Sequence, residues 1–473
     1  MAAFSKSVFF QGEAEPRMMN PWLVRYGTFP LYQLKSGREV LPWLHHFRKT
    51  PKWNREKLRE WQEKKAQKIL RHAFKNVPYY RHLFKRYGID PKKVTLDSPE
   101  WYKIPMLQKG VGRTEFESLH ASDKSRPYTE VKTSGSTGFP IKWHVDRRTA
   151  DIHQAVKLRS REWWNLRLGD RQVWLWGDDE IAGGPRKARR DWLVYNKQVL
   201  RLLDLSEHTI SDYFQELLRW KPSFLYGYPS GLTQLVRLCK DQGFDLRPLK
   251  LKGVISTAEI LTEGQRKELE EALDCPVMNE YGSAETQVIG FECPEKNMHQ
   301  SEDVLLIEFL RNGRPVSPDE QGEVVVTDLF NEIMPLIRYQ TGDWASPKKG
   351  LCPCGRNLSL MHLSIGREVD MVRLADGRVL HPEIFTPPSD TSFPVLSHSV
   401  KQFRVIQETF KRFLIEVVAA RSQELLIREQ FTRMVEEYLG KGFDIDVKFV
   451  FEIPREPSGK LRYFVSKLRE VPS

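Results

Sequence analysis

Nowhere in the 473 residues is there a run of roughly 18 apolar residues, the length a helix needs to cross the hydrocarbon of a bilayer. The opening residues, MAAFSKSVFFQGEAEPRMMN, carry glutamine and glutamates where a secretory signal needs a continuous apolar core. Cysteine is sparse, five in all, and all five read as free thiols of a reducing compartment. These absences predict a cytoplasmic protein, at most peripheral to the inner face of a membrane. Two nucleotide signatures are also missing. There is no Gly-Lys-Ser/Thr, which excludes a Walker loop, and no G-x-G-x-x-G, which excludes the dinucleotide fingerprint. Internal repeats and low-complexity segments are absent too.

What is present is a polar chain, 40% hydrophobic and 29% charged, with 74 basic against 62 acidic residues and a formal net charge of +12. Its length exceeds what one hydrophobic core supports and predicts two or more domains. The excess of base invites a nucleic-acid reading. Much of it, however, lies in FRKTPKWNREKLREWQEKKAQKILRHAFK (47–75), where glutamates interleave with the bases as on a solvated helix face. No nucleic-acid partner is expected. The aromatic, basic stretch NPWLVRYGTFPLYQL (20–34) is of the kind that makes weak peripheral membrane contact.

After the helical N-terminal segment the pattern alternates. RQVWLWG (171–177) reads as a strand, ISDYFQELLRW (210–220) as a helix, SFLYGYP as a strand, SGLTQLVRLCKDQG as a helix, and LKGVIST as a strand. TEGQRKELEEAL (262–273) is helical with Thr262 as its N-cap, and CPVMNEYGS returns to the sheet. Such alternation predicts a largely parallel α/β sheet with its ligands beyond the carboxyl ends of the strands. From about residue 302 short strands and turns take over, as in GEVVVTDLF (322–330). Past IGREVDMV (365–372), FRVIQET, RFLIEVVAA, LLIREQFTRMVEEYLG and DIDVKFVFEI form a β-β-α-β unit. The expected fold is α/β: a large N-terminal domain of mostly parallel sheet with helices and a β-subdomain, then a small mobile α+β C-terminal domain. The expected boundaries are 1–60 for a helical, aromatic extension, 61–366 for the large domain, and 367–473 for the small one.

VKTSGSTGFPIKW (131–143) packs glycines and hydroxyl residues tightly enough for bare backbone N–H groups to wrap an anion. Taken alone, TSGSTG reads equally as a Ser/Gly surface turn. Four further stretches follow it in order: STAEI (256–260), NEYGSAET (279–286), RYQTGDWA (338–345) with GREVD (366–370), and PREPSGKLRYF (454–464). The series resembles the signature motifs of the adenylate-forming superfamily, which includes acyl-CoA synthetases. HAFKNVPYYRHLF (72–84), the glycine loop and CPCGR look more narrowly like the phenylacetate–CoA ligase branch, which includes CapK-like capsular-polysaccharide biosynthesis proteins. The resemblance covers the chain from about residue 60 onward.

The resemblance implies a chemistry that suits the residue types. In this superfamily a carboxylate attacks the α-phosphate of ATP, giving an acyl-adenylate and pyrophosphate, and the charge built up on phosphate must meet donors and a metal ion. Ser134, Gly135, Ser136, Thr137 and Gly138 match the loop holding the β- and γ-phosphates, with Lys142 nearby. Glu285 matches the Mg2+ carboxylate, assisted by Thr137, and a hard cation takes such oxygen ligands. Tyr281, followed by Gly282 and Ser283, would lie against adenine, with Ser256, Ala258 and Glu259 along its edge. Asp343 matches the aspartate that accepts from both ribose hydroxyls, and Arg367 the arginine near ribose and phosphate. Asp370 falls at the hinge; Val369 replaces the first acid of the usual GRxDD pattern. Lys460, presented by the Ser458–Gly459 turn, matches the lysine that bridges carboxylate and α-phosphate before the small domain rotates to admit the acceptor.

Of the cysteines, Cys239 and Cys275 read as core or surface residues. Cys293 with His299, and Cys352 with Cys354, supply four soft ligands in two close pairs, as a structural zinc site needs. The spacing is not that of the usual fingers and leaves free thiols open; the resemblance tips the reading to structural Zn2+, with no open position for catalysis. Trp176, Tyr226 and Tyr228 sit at strand ends, where they could line the pocket of an aromatic or flat acid or pack in the core. His381 has no assigned role.

The leading reading is an ATP-dependent, AMP-forming ligase that takes a small carboxylic acid and passes the acyl group to CoA. An amine or hydroxyl acceptor in surface-polysaccharide biosynthesis is the alternative. A non-catalytic relative that binds ATP or a partner is the rival of another class. A monomer or homodimer fits all three.

Overall fold

The computed structural model describes residues 19–123, 126–132, 142–177, 184–367, 372–376, 379–380, 385, 394–454 and 462–468. Two strands, β1 (Tyr128–Lys132) and β2 (Lys142–Asp146), pair antiparallel, with Lys132 opposite Lys142. The expected phosphate loop, Ser134 to Gly138, falls between them and lies outside the described residues.

Twelve strands form one sheet. Its first half is parallel: β3 (Gln172–Trp176), β4 (Lys197–Arg201), β5 (Phe224–Gly227), β6 (Gly253–Thr257) and β7 (Val277–Ser283) lie in the order β4-β3-β5-β6-β7. The crossovers carry helices Gly184–Tyr195, Ile210–Trp220, Pro229–Asp241 and Glu263–Leu273. Strand β5 is buried along its whole length and β6 likewise, as central parallel strands covered on both faces must be. The last helix starts where the sequence placed it. Thr262 Oγ1 accepts from Gln265 N at 3.2 Å, while the Gln265 side chain accepts from Thr262 N at 3.1 Å, a reciprocal capping box.

At β7 the sheet changes character. β8 (Gln287–Glu292), β9 (Met298–Gln300), β10 (Leu305–Arg311), β11 (Arg314–Pro315), β12 (Gly322–Asp328), β13 (Tyr339–Lys348) and β14 (Leu360–Arg367) continue it antiparallel, in the order β7-β8-β9-β14-β13-β12-β10-β11. The expected β-subdomain is thus hydrogen-bonded into the same sheet as the parallel strands. The N-terminal helices belong to this half: Phe29, Val40, Leu44 and Phe47 share a core with Leu70, Ala73, Val324, Val326 and Tyr339. Helix Arg55–Asn76 buries one stripe, Leu58, Gln62, Ala66, Ile69, Leu70 and Ala73, leaving its other face to the interleaved charges.

Among the remaining described residues, β15 (Val372–Arg373) pairs with β16 (Val379–Leu380). β17 (Val400–Gln407), β18 (Arg412–Ala419), β19 (Asp444–Phe449) and β20 (Phe464–Ser466) form a four-stranded sheet in the order β19-β18-β17-β20, covered by helix Glu424–Leu439. Val405, Phe413, Ile415, Phe431, Met434 and Val447 make its separate core. This is the α+β unit expected from the sequence. No described helix is long and apolar enough to cross a membrane.

Candidate nucleotide and metal sites

The switch from parallel to antiparallel pairing at β7 exposes the carboxyl ends of β5, β6 and β7, the place where open α/β sheets bind ligands. Three of the motifs meet there. Tyr281 Oη, on β7, donates to Asp343 Oδ2, on β13, at 2.9 Å. Asp343 lies opposite Arg367 across β13 and β14, and its backbone N–H donates to Thr341 Oγ1 at 3.1 Å. Glu285, in the turn between β7 and β8, is only 3% exposed; it accepts from Tyr339 Oη at 2.7 Å and lies 3.9 Å from Lys109 Nζ. Lys109 arrives there because residue 107 bridges to the start of β13: Leu107 N donates to Arg338 O at 2.8 Å and Gln340 N to Leu107 O at 3.0 Å.

The backbone is specialised at this point. A Cβ on Gly282 would come within 2.2 Å of Gln287 O, so the tight β7–β8 reversal admits no side chain. Ala258, in STAEI, is held at φ +65°, a left-handed conformation that costs a non-glycine residue on the order of 1 kcal/mol. Its neighbour Glu259 accepts from Ser230 N at 3.2 Å, and Ser256 is fully buried on β6. Ser283 and Thr286 exchange a hydroxyl bond at 3.0 Å across the turn. Lys142 is exposed and pairs with Glu130 across the hairpin at 3.3 Å. Thr137, Asp370, His381 and Lys460 lie outside the described residues, with the rest of the glycine loop.

The three aromatic candidates have different fates. Tyr226 and Tyr228 are 3% and 1% exposed and pack in the core, whereas Trp176 is half-buried and stacks on Tyr228 at 4.3 Å. Tyr226 also serves a buried ionic network that sequence reading missed. Its Oη donates to Glu280 Oε1 at 2.6 Å, Lys157 Nζ lies 3.4 Å from the same oxygen, and the Arg161 guanidinium sits 5.0 Å over the Tyr226 ring. Glu280 Oε2 takes no hydrogen bond among the described residues. Burial, reinforced by the Glu280 carboxylate, holds the Tyr226 phenol well above its ordinary range, so it stays a hydrogen-bond donor.

Cys293, His299, Cys352 and Cys354 come together, their ligand atoms all within 4.8 Å of one another. Cys293 Sγ lies 3.5 Å from Cys352 Sγ, and Cys354 Sγ lies 3.2 Å from His299 Nε2. Ligands about 2.0–2.3 Å from a tetrahedral zinc lie about 3.5–3.8 Å apart, so the cluster has the right size. Its supports fit too. His299 Nδ1 donates to Leu358 O at 3.0 Å, which fixes the tautomer with a bare Nε2 facing the sulfurs. Burial lowers the His299 pKa to about 4 and pushes the Cys293 thiol up to about 12. The imidazole is therefore neutral and ready to ligate, and a cation would be what draws the thiol proton off. Both cysteine turns are closed by backbone bonds, Lys296 N to Cys293 O at 2.8 Å and Gly355 N to Cys352 O at 3.1 Å. The donor set is complete, with no open position.

The large mixed sheet with its reversal at β7, followed by a small α+β unit, is the architecture of adenylate-forming CoA ligases. A 2-hydroxyisobutyryl-CoA ligase structure in the postadenylation state superposes with a TM-score of 0.72 at 18% identity, over 89% of this chain and 91% of that one. Residues 388–467 match the CapK C-terminal domain. The phenylacetate-coenzyme A ligase of Thermus thermophilus is 25% identical over 86% of this chain and 96% of its own. Protein CapK of Staphylococcus aureus is 21% identical over 87% and 89%. Along most of its length the chain is similar to phenylacetate–CoA ligases and to CapK, and it shares the fold of adenylate-forming CoA ligases.

Sequence reading singled out none of Lys109, Tyr339, Lys157, Arg161 and Glu280. Tyr339 and Glu280 lie inside quoted motifs, which could have found them. Lys109 and Lys157 reach their carboxylates only through tertiary contacts.

Proposed function

We propose that the protein activates a carboxylic acid with ATP and transfers the acyl group to the thiol of CoA. The carrying observation is the convergence of Tyr281, Glu285 and Asp343, from two separate motifs, at the carboxyl end of β7 within single hydrogen bonds of β13. A carboxylate oxygen attacks the α-phosphorus, the bond to the β-phosphate breaks, and pyrophosphate leaves. The thiol then loses its proton, its sulfur attacks the acyl carbon, and AMP leaves.

In this reading Asp343, held in place by the Tyr281 hydroxyl, accepts from the ribose hydroxyls with its remaining lone pairs, and the Tyr281 ring covers adenine along Ser256, Ala258 and Glu259. Gly282 and Ser283 let the strand reverse beneath the base. Ser134 to Gly138 and Lys142 meet the β- and γ-phosphates, Arg367 the ribose and α-phosphate, and Lys460 the reacting carboxylate, with Asp370 as the hinge. Glu285 and Thr137 would hold Mg2+, which supplies positive charge at the phosphate oxygens. Cys293, His299, Cys352 and Cys354 would hold a structural Zn2+. Trp176, half-buried beside Tyr228, is the aromatic wall that an acid can reach.

A second acceptor class is favoured by one observation: the small unit that approaches the acceptor in this superfamily matches the CapK C-terminal domain. The alternative acceptor is an amine or a hydroxyl. The test is acid-dependent pyrophosphate release over a panel of carboxylic acids, with hydroxylamine as trap, repeated with CoA. Release that depends on acid and doubles as thioester formation supports the first reading. Acid-dependent release with no thioester moves the acceptor to an amine or hydroxyl. No acid-dependent release from any of the panel makes the chain a non-catalytic relative.

A further inference from the structure

Residues 21–36 form one continuous helix with a π-turn in its middle: Pro21–Leu23 and Phe29–Ser36 are α-helical and Val24–Thr28 π-helical. Its inner face is fastened to the large domain. Val24 and Phe29 are buried, Phe29 meets Tyr195 edge-on at 5.7 Å, and Thr28 Oγ1 donates to Leu193 O at 2.5 Å. Arg25 Nε donates to Leu168 O at 2.8 Å, and its Nη2 pairs with Asp170 at 3.1 Å.

The outer face is apolar. Trp22, Leu23, Tyr26, Leu31 and Leu34 are 67%, 53%, 60%, 56% and 81% exposed. The π-turn gathers them. At a strict 3.6-residue period these five would spread over about 180° of the helix, and the π-turn draws the later ones back to an arc of about 100°. The rings of Trp22 and Tyr26 meet within it at 4.4 Å, tilted by 52°. Against this segment packs helix Gly184–Tyr195, GPRKARRDWLVY, whose Arg186, Arg189 and Arg190 are exposed and Lys187 partly so. Its single acid, Asp191, is buried between Arg190 at 2.9 Å and Lys197 at 3.2 Å and offers nothing to the surface. Lys35, on the first segment, is exposed as well.

We propose that this face docks the protein on an anionic phospholipid bilayer, its aromatic and leucine side chains entering the headgroup–acyl boundary while the neighbouring basic helix neutralises the headgroups. Tryptophan and tyrosine favour that boundary, and leucine gains by leaving water. Charge selects the bilayer over a second copy of the chain, because a symmetric pairing of this face would bring the two basic helices together. A nucleic acid satisfies the bases and leaves Leu31 and Leu34 in water.

The test is flotation of the full chain with phosphatidylcholine vesicles, with and without phosphatidylglycerol, at low and high salt. Wild type is expected to float with the anionic vesicles and to be largely released by salt. Arg186→Glu with Arg189→Glu should weaken binding more than tenfold, each base near an anionic surface being worth roughly fivefold. Trp22→Ser with Leu34→Ser should weaken it about tenfold or more. All four side chains are exposed, so the thermal midpoint and acid-dependent pyrophosphate release should stay at wild-type values, which separates this surface from the proposed chemistry. Wild type that ignores anionic vesicles, floats equally with neutral ones, or binds independently of both variant pairs overturns the proposal. A dimer in sedimentation that Trp22→Ser dissociates overturns it too, and gives the face to a second copy.

Discussion

The residue scale is where chemistry is decided, and Tyr281, Asp343 and Glu285 make predictions that separate binding from turnover. Tyr281→Phe removes one donor from Asp343 and should raise the ATP requirement about two- to tenfold, the range of one net hydrogen bond. Glu285→Ala should act differently from Asp343→Ala. The first serves phosphates that leave as pyrophosphate, so it should slow adenylation and spare acyl transfer from pre-made acyl-adenylate. The second serves a ribose that stays through both halves, so both should slow. Rates of the two half-reactions measured separately check this; equal losses for Glu285→Ala would tie that carboxylate to the fold or the acceptor. Lys460→Ala should lower adenylation about a hundred- to thousandfold, the effect of one positioned charge in a transition state, with ATP binding mostly retained. These residues were legible because each stands in a short, dense motif. Lys109 and Lys157 were not, because a lysine in an ordinary amphipathic context acquires meaning only from the carboxylate that tertiary structure brings to it, Glu285 or Glu280.

At the scale of elements, local rules and long-range ties can be told apart. Thr262 capped its helix as the sequence required, and Thr262→Ala should cost about 1 kcal/mol of stability in denaturant unfolding. Glu332 is the contrary case, a residue with no local signal. Its carboxylate accepts from Lys68 on the helix Arg55–Asn76 at 2.5 Å and from Arg126, and it ties both to the turn after β12. Burial alone would raise its pKa, but the two cations prevail and lower it to about 2. A carboxyl depressed on folding stabilises the fold above its ordinary pKa near 4.5, and that contribution is lost as pH falls from there towards 2. Glu332→Gln should therefore cost about 1–3 kcal/mol at neutral pH, discounted for the half-exposed Lys68 and Arg126. The difference from wild type should shrink as pH falls below 4.5. A gap that persists unchanged at low pH would mean that Glu332 acts through packing. The alternating strands and helices from 171 to 283 were legible for the same local reason as Thr262. The antiparallel half was read as strands but not as a continuation of the same sheet, since registers such as Leu360 opposite His299 join segments some sixty residues apart.

The whole molecule turns on that continuation. β9 lies between β8 and β14, one strand beyond the antiparallel β7–β8 pair where the sheet changes character, and it is only three residues long. So short a strand has few backbone bonds with which to hold two halves of a twelve-stranded sheet in register. The cysteine cluster sits where reinforcement is needed: His299 is on β9, Cys293 follows β8, and Cys352 and Cys354 lie between β13 and β14. A cation there would clip the β8–β9 turn to the β13–β14 connection, and four filled positions leave it no chemistry of its own. Protein purified without chelator should carry about one zinc per chain. Cys352→Ser or Cys354→Ser should lower both the zinc content and the thermal midpoint, and chelation of wild type should reproduce the loss of midpoint. Because β8 pairs with β9 on one side and with β7, which carries Tyr281, on the other, zinc loss should weaken ATP binding before the small α+β unit unfolds. That ordering is readable by hydrogen exchange, with protection falling first in 287–300 and 352–363 and persisting in 403–418. Zinc-free protein with an unchanged midpoint and unchanged exchange in 287–300 would show that the short strand holds β8 to β14 without metal.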